Sequence, residues 1–331
     1  MKTQKILISL VCCTLISVSF GCSKEVKIPE GKASKENEKA ELERLKALSS
    51  SLGAWSVYWD YSGNEKLLDN LDSLSYFEAY FVNDQIQLPE KAKEMIKSVQ
   101  TENCIKYLSA VNDVEKNGNI EHKNTDILKK AFENDEAMDQ QIQELISLAE
   151  DNGFDGIELD YEKIRNDLDL WNRYFTFINR LKEVAGEKDI RIRVVLEPNT
   201  PVEELQFPDG VEYVVMCYNL YGYNEKMGPK ADMNFLDEIY TRFHNLPFIS
   251  YALANGGYVW ENGTPKQIRT SEIDEIIKEN NLKPERDSSG ALTFTYENRT
   301  VWYADEKTLE LWTEELNTLN GDKVAIQYWR M

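Results

Sequence analysis

The sequence predicts an α/β protein built as one (β/α)8 barrel. Eight short apolar runs recur along the chain, helical patterns separate them, and no glycine-rich phosphate loop follows any early run. Alternation of strands and helices implies a parallel sheet covered by helices, and eight repeats imply closure. An open doubly wound sheet is the competing arrangement, and the absence of a phosphate loop counts against its nucleotide-binding form.

The first 50 residues precede the barrel. Lys2 and Lys5 are followed by an apolar run from Ile6 to Phe20 and then Gly21-Cys22, which is the pattern of a secretory signal over residues 1–21. The run falls short of the roughly 20 apolar residues a membrane-spanning helix needs. Gly21-Cys22 resembles the lipobox of bacterial lipoproteins, which implies that Cys22 is lipidated and becomes the new N-terminus. Residues 22–50 are otherwise charged or small and bury too little to fold alone, so they read as a tether. These features predict an exported lipoprotein of the bacterial cell surface or envelope, touching the membrane through its lipid alone.

The barrel is expected over residues 51–331, a length suited to this fold. Its strands are AWSVYW (54–59), SYFEAYFV (75–82), CIKYLSAV (104–111), GIELDYE (156–162), RIRVVLE (191–197), EYVVMCY (212–218), PFISYAL (247–253) and KVAIQYW (323–329). LPEKAKEMIKSVQ, NDEAMDQQIQELISLAEDNG, LDLWNRYFTFINRLKEVAG and DMNFLDEIYTRFHN carry apolar residues at helical spacing between them. The first crossover is the weakest, with NEKLLDNLDSL alone to fill it. Residues 254–303 break the alternation and read as a small α+β insertion between strands seven and eight: a short helix, then two β-rich runs around Glu297-Asn298. DEKTLELWTEELNTLNG restores the last helix.

Charge and cysteine content narrow the function. The net charge is −20, and removing the two signal lysines leaves −22. Nucleic acid and anionic lipid demand clustered Lys and Arg, so neither is a partner, whereas a neutral glycan is compatible. With His122 and His244 the only histidines, a His-based zinc site or a Ser/His/Asp triad is nearly excluded. Cys104 and Cys217 lie in predicted strands and read as buried thiols.

The sharpest chemical signal is FDGIELDYE, residues 154–162. Side chains alternate across a strand, so Glu158, Asp160 and Glu162 share one face while Ile157, Leu159 and Tyr161 share the other. The apolar set should meet the helices, leaving three carboxylates in the barrel interior. Crowding and low dielectric raise at least one pKa, as a proton donor for glycosidic cleavage requires. Glu162 lies nearest the C-terminal strand end, where barrel enzymes place their chemistry.

Asp155, Gly156, Asp160 and Glu162 resemble the Asp-Gly-x-Asp-x-Asp-x-Glu motif on the fourth strand of family 18 glycoside hydrolases. The resemblance implies that Glu162 is the general acid/base. Asp160 would orient the substrate's N-acetyl group and stabilise the ring formed when that group attacks the anomeric carbon. Glu158 stands where the family has its first interior Asp. Met216-Cys217-Tyr218-Asn219 resembles the family's Met-x-Tyr-Asp, with Tyr218 donating to the acetamide carbonyl and Asn219 where Asp is common. On strand eight Ala325, Gln327 and Trp329 share a face, and Trp329 matches the tryptophan floor of the −1 subsite; an indole against a pyranose supplies apolar area. The region 291–312 looks like that of spore-cortex-lytic relatives.

By this resemblance the protein hydrolyses β-1,4 bonds next to N-acetylglucosamine-type sugars, with Glu162, Asp160 and Tyr218 catalytic and Glu158, Asn219, Trp329, Tyr58 and Gln327 binding substrate. No metal or cofactor is implied, and the chain is expected to be a monomer. The rival readings are a catalytically silent glycan-binding lipoprotein of the same fold and a two-lobed solute-binding lipoprotein. Other candidates are open. Tyr58 or Trp59 could line the groove, ahead of Asp60. Ser109, Asn112 and Asp113 are as readily turn residues as sugar ligands, and Glu197 as readily a cap. Tyr258 and Trp260 could wall the groove, while Trp302 and Trp312 read as core.

Overall fold

The computed structural model describes residues 43–58, 71–98, 104–222 and 226–329. The signal, Cys22, most of the tether, Trp59, Asp60 and most of the first crossover lie outside them.

Eight parallel strands form the barrel: β1 (Ser51–Val57), β2 (Ser73–Val82), β3 (Ile105–Lys116), β4 (Gly156–Asp160), β5 (Arg191–Leu196), β6 (Glu212–Met216), β7 (Ile249–Ala254) and β8 (Ala325–Trp329). Each pairs with its sequence neighbour, and β1 pairs with β8, so the sheet closes on itself. The outward residues Ile157 and Leu159 of β4, with Tyr161 just after it, join the main core with the helices around the barrel. The helix Asp135–Asn152 starts on Asn134, which accepts from Ala137 N, and stops at left-handed Gly153. The helix Leu168–Gly186 brings Leu170, Tyr174, Phe177, Ile178 and Leu181 onto the same core. Cys104 and Cys217 are buried free thiols.

Of the boundaries that depart from the expectation, two bear on the site. β3 runs on to Lys116 because it forms a hairpin with Asn119–Glu121 around Asn117-Gly118, both at positive φ. Asn112 and Asp113 are therefore strand residues and not turn residues. β4 stops at Asp160, so Glu162 lies just past the ladder, where Asn112 takes over its backbone hydrogen bonds.

Between β7 and β8 the chain forms a separate antiparallel sheet. Its order is 264–268, 256–261, 299–304, 292–296, 285–286, and the helix Thr270–Asn280 packs on it. Gly257 is required here: a Cβ would fall 1.9 Å from the Trp302 carbonyl oxygen of the neighbouring strand.

Candidate active site

The three acidic residues of the β4 segment meet three different environments. Glu158 is fully buried. Its Oε1 accepts from Trp55 Nε1 at 2.7 Å and Ser109 Oγ at 2.6 Å, and its Oε2 accepts from Ser75 Oγ at 2.8 Å and Arg193 Nη1 at 3.3 Å. Arg193 stands opposite Glu158 in the β4–β5 register. It also donates to Ser73 and Glu212 and lies 3.8 Å above the Tyr107 ring centre. Burial alone would loosen the Arg193 proton, but Glu158, Tyr107 and Glu212 outweigh it and its pKa rises. Glu158 thus presents no surface to a ligand; it is part of a satisfied buried network beneath the site.

Asp160 ends β4 and is buried, and its Oδ1 has no hydrogen-bond partner among the described residues. Burial raises its carboxyl well above the ordinary range; Glu162, Glu158 and Glu78 add to the rise and Lys123 opposes it. An unpaired buried carboxylate is costly, which favours the protonated form of Asp160. Glu162 pairs with Lys123 Nζ and is mostly buried. Burial lifts its pKa too, with Lys123 lowering and Glu197 and Asp113 raising. Its backbone N–H donates to Asn112 Oδ1 and its carbonyl accepts from Asn112 Nδ2, both at 3.0 Å.

Glu78 of β2 joins these carboxylates. Burial pushes it up to about 8, with Asp113 and Glu162 reinforcing and Lys123 opposing. Tyr58 lies close enough to Glu78 and Asp113 that, after burial, their charges raise its hydroxyl pKa, which sets Tyr58 at the edge of this acidic group. Glu197 accepts from Lys163 N at 2.7 Å and so holds the chain immediately after Glu162.

The apolar wall is built by β1, β2, β6 and β8. Tyr218 and Trp329 pack on one interior cluster that includes Trp55, Phe77 and Met216. The Trp329 ring lies 5.7 Å from Trp55 and 5.6 Å, edge to face, from Phe77, so its orientation is fixed. Val111, the ladder partner of Asp160, belongs to the same cluster, which brings the end of β4 alongside that wall. Asn219, at positive φ, accepts from the Tyr258 hydroxyl. Gln327 is buried against Gly53, where a Cβ would fall 2.0 Å from its Oε1, and its Nε2 is unpartnered among the described residues. Tyr258 and Trp260 are buried, so neither walls an open groove; Trp312 is core and Trp302 half-buried.

No protein-family model matches the sequence. An uncharacterised glycosylase, YvbX of Bacillus subtilis, is 23% identical over 208 residues; the match spans 56% of this chain and 60% of that protein. Among solved structures, the spore cortex-lytic enzyme SleL of Bacillus cereus superposes with a TM-score of 0.68 at 15% identity, over 92% of this chain and 82% of that one. A family GH18 chitinase of Cycas revoluta, in complex with allosamidin, gives 0.68 at 14% identity, over 85% and 94%. The fold is that of the family 18 chitinases.

Within that family 18 fold, Glu158 and Asp160 lie away from the outer core that takes Ile157 and Leu159, as strand parity predicts, but three residues escaped the sequence motifs. Arg193 and Glu78 each left a signal: a charged residue in the interior of a strand, in RIRVVL and SYFEAYFV. Lys123 left none, because it sits in a loop after the β3 hairpin.

Proposed function

We propose that the protein is a glycoside hydrolase that cleaves the β-1,4 bond next to an N-acetylglucosamine-type sugar, with retention and with the substrate's own acetamide as nucleophile. The observation that carries this reading is the pair Asp160 and Glu162, two carboxyl groups with raised pKa at the C-terminal end of β4. Glu162 gives its proton to the glycosidic oxygen as the C1–O bond breaks, and the acetamide oxygen closes on C1. Asp160 accepts the acetamide N–H, and the positive charge growing on that ring favours its ionised form. Tyr218 donates to the acetamide oxygen and Trp329 supports the sugar face. Glu162, now a carboxylate, takes a proton from the water that reopens the ring and leaves the retained anomer.

The test is hydrolysis of an aryl N-acetyl-chitooligosaccharide. E162Q should lose roughly 100- to 10,000-fold in turnover while still binding the sugar. The thiazoline analogue of N-acetylglucosamine should inhibit the wild type, as an analogue of the bicyclic intermediate. Wild-type protein inert on chitin, peptidoglycan and N-glycan cores alike would overturn the proposal in favour of a silent glycan-binding protein. The same reading places the protein at the bacterial envelope as a monomer tethered through Cys22; radiolabelled fatty acid carried by the wild type and lost in C22A would support the anchor.

A further inference from the structure

Glu162 is held from outside its own strand. Asn112 on β3 grips both backbone groups of Glu162, and the same Asn112 Nδ2 donates to Asn124 O at 3.2 Å while Asn112 O accepts from Asn124 N at 2.8 Å. Asp113 accepts from Lys123 N at 2.8 Å through Oδ1, and its Oδ2 meets the His122 ring. Asn124 then caps the helix Thr125–Ala131, accepting from Asp126 N and Ile127 N. Lys123 is thus a left-handed residue fixed on both sides, and its ammonium reaches Glu162.

We propose that Lys123 is the positioning residue of Glu162, docking the proton donor against the β3 hairpin and setting its ionisation from a loop that β4 does not touch. This rests on the assignment of Glu162 as the acid. The groups facing Glu162 are otherwise carboxyls: Asp160 on β4, Asp113 on β3, Glu78 on β2 and Glu197 after β5. The Lys123 charge opposes the rise of Glu78, Asp160 and Glu162 together. With that charge removed, burial and the charges of Glu197 and Asp113, which all raise the Glu162 pKa, act unopposed by Lys123, and Glu162 keeps its proton to higher pH. Catalysis needs Glu162 protonated, so the alkaline limb of the rate profile moves up.

The experiment uses the full-length protein and the variants K123M and K123R. In K123M the alkaline limb of kcat/KM should rise by about one pH unit or more, the size expected for losing an adjacent opposite charge, and K123R should restore it. A purely structural lysine would lower the rate without moving the limb. Titration of 13C-labelled glutamate carboxyls, with the Glu162 signal identified by its loss in E162Q, reads the same shift without any turnover. A Glu162 midpoint that moves by less than about 0.3 unit in K123M sinks the inference even if the enzyme is active. A shifted midpoint in a protein inert on every glycan would instead uphold the tether and fail the hydrolase. K123Q makes the same removal of charge should K123M not fold.

Discussion

Two layers of the barrel interior, two residues of β4 apart, treat a carboxylate in different ways. In the lower layer Glu158 has four donors, one of them the guanidinium of the neighbouring strand. In the upper layer Asp160 has an oxygen with no partner among the described residues, and Glu162 leans on a lysine that is itself a third exposed. The lower layer spends its polar groups on one another. The upper layer leaves hydrogen-bonding capacity open, and burial raises the pKa of both its carboxyls. Position along one strand, and not residue type, separates a satisfied carboxylate from an unsatisfied one.

The largest effect expected from this contrast is on stability. R193M should cost about 3–5 kcal/mol in urea unfolding, because it leaves Glu158 buried without its cation, and R193M/E158L should recover much of the loss. K123M, removing a lysine that is 35% exposed from a carboxyl able to take up a proton, should cost less than about 1 kcal/mol. Equal losses would erase the distinction between the layers.

A smaller effect sharpens it on the binding side. W329A should weaken N-acetyl-chitooligosaccharide binding about tenfold or more, roughly 1.4 kcal/mol, measured by calorimetry on the E162Q background. Unchanged affinity would remove Trp329 from the sugar floor.

The smallest concerns Glu78. Its carboxyl titrates at about 8 in the folded protein against 4.5 ordinarily, so between those values the folded state holds the extra proton and stability falls as pH rises. E78Q should match the wild type near pH 4.5 and exceed it near pH 8, by about 1 kcal/mol. A wild type as stable near pH 8 as near pH 4.5 would contradict this account.

The strands and the inward set on β4 were legible because both rest on period-two alternation, which needs no partner to be known. What Glu158 does was not legible. Its partner Arg193 is 35 residues away, and parity states only that a side chain points inward, not what it meets. The β3 hairpin was missed for a related reason: Asn112 and Asp113 look like turn formers locally, yet their polar atoms are taken up by residues 122–124 and 162. Asn117-Gly118 was the signal that could have placed the turn five residues later.

The grip of Asn112 on both backbone atoms of Glu162 has a consequence for anyone wishing to move this chemistry elsewhere. Grafting FDGIELDYE into another barrel would carry the acid across without its mooring, since the anchor belongs to the preceding strand. The transferable unit is β3 with its hairpin and β4 together, residues 105–162.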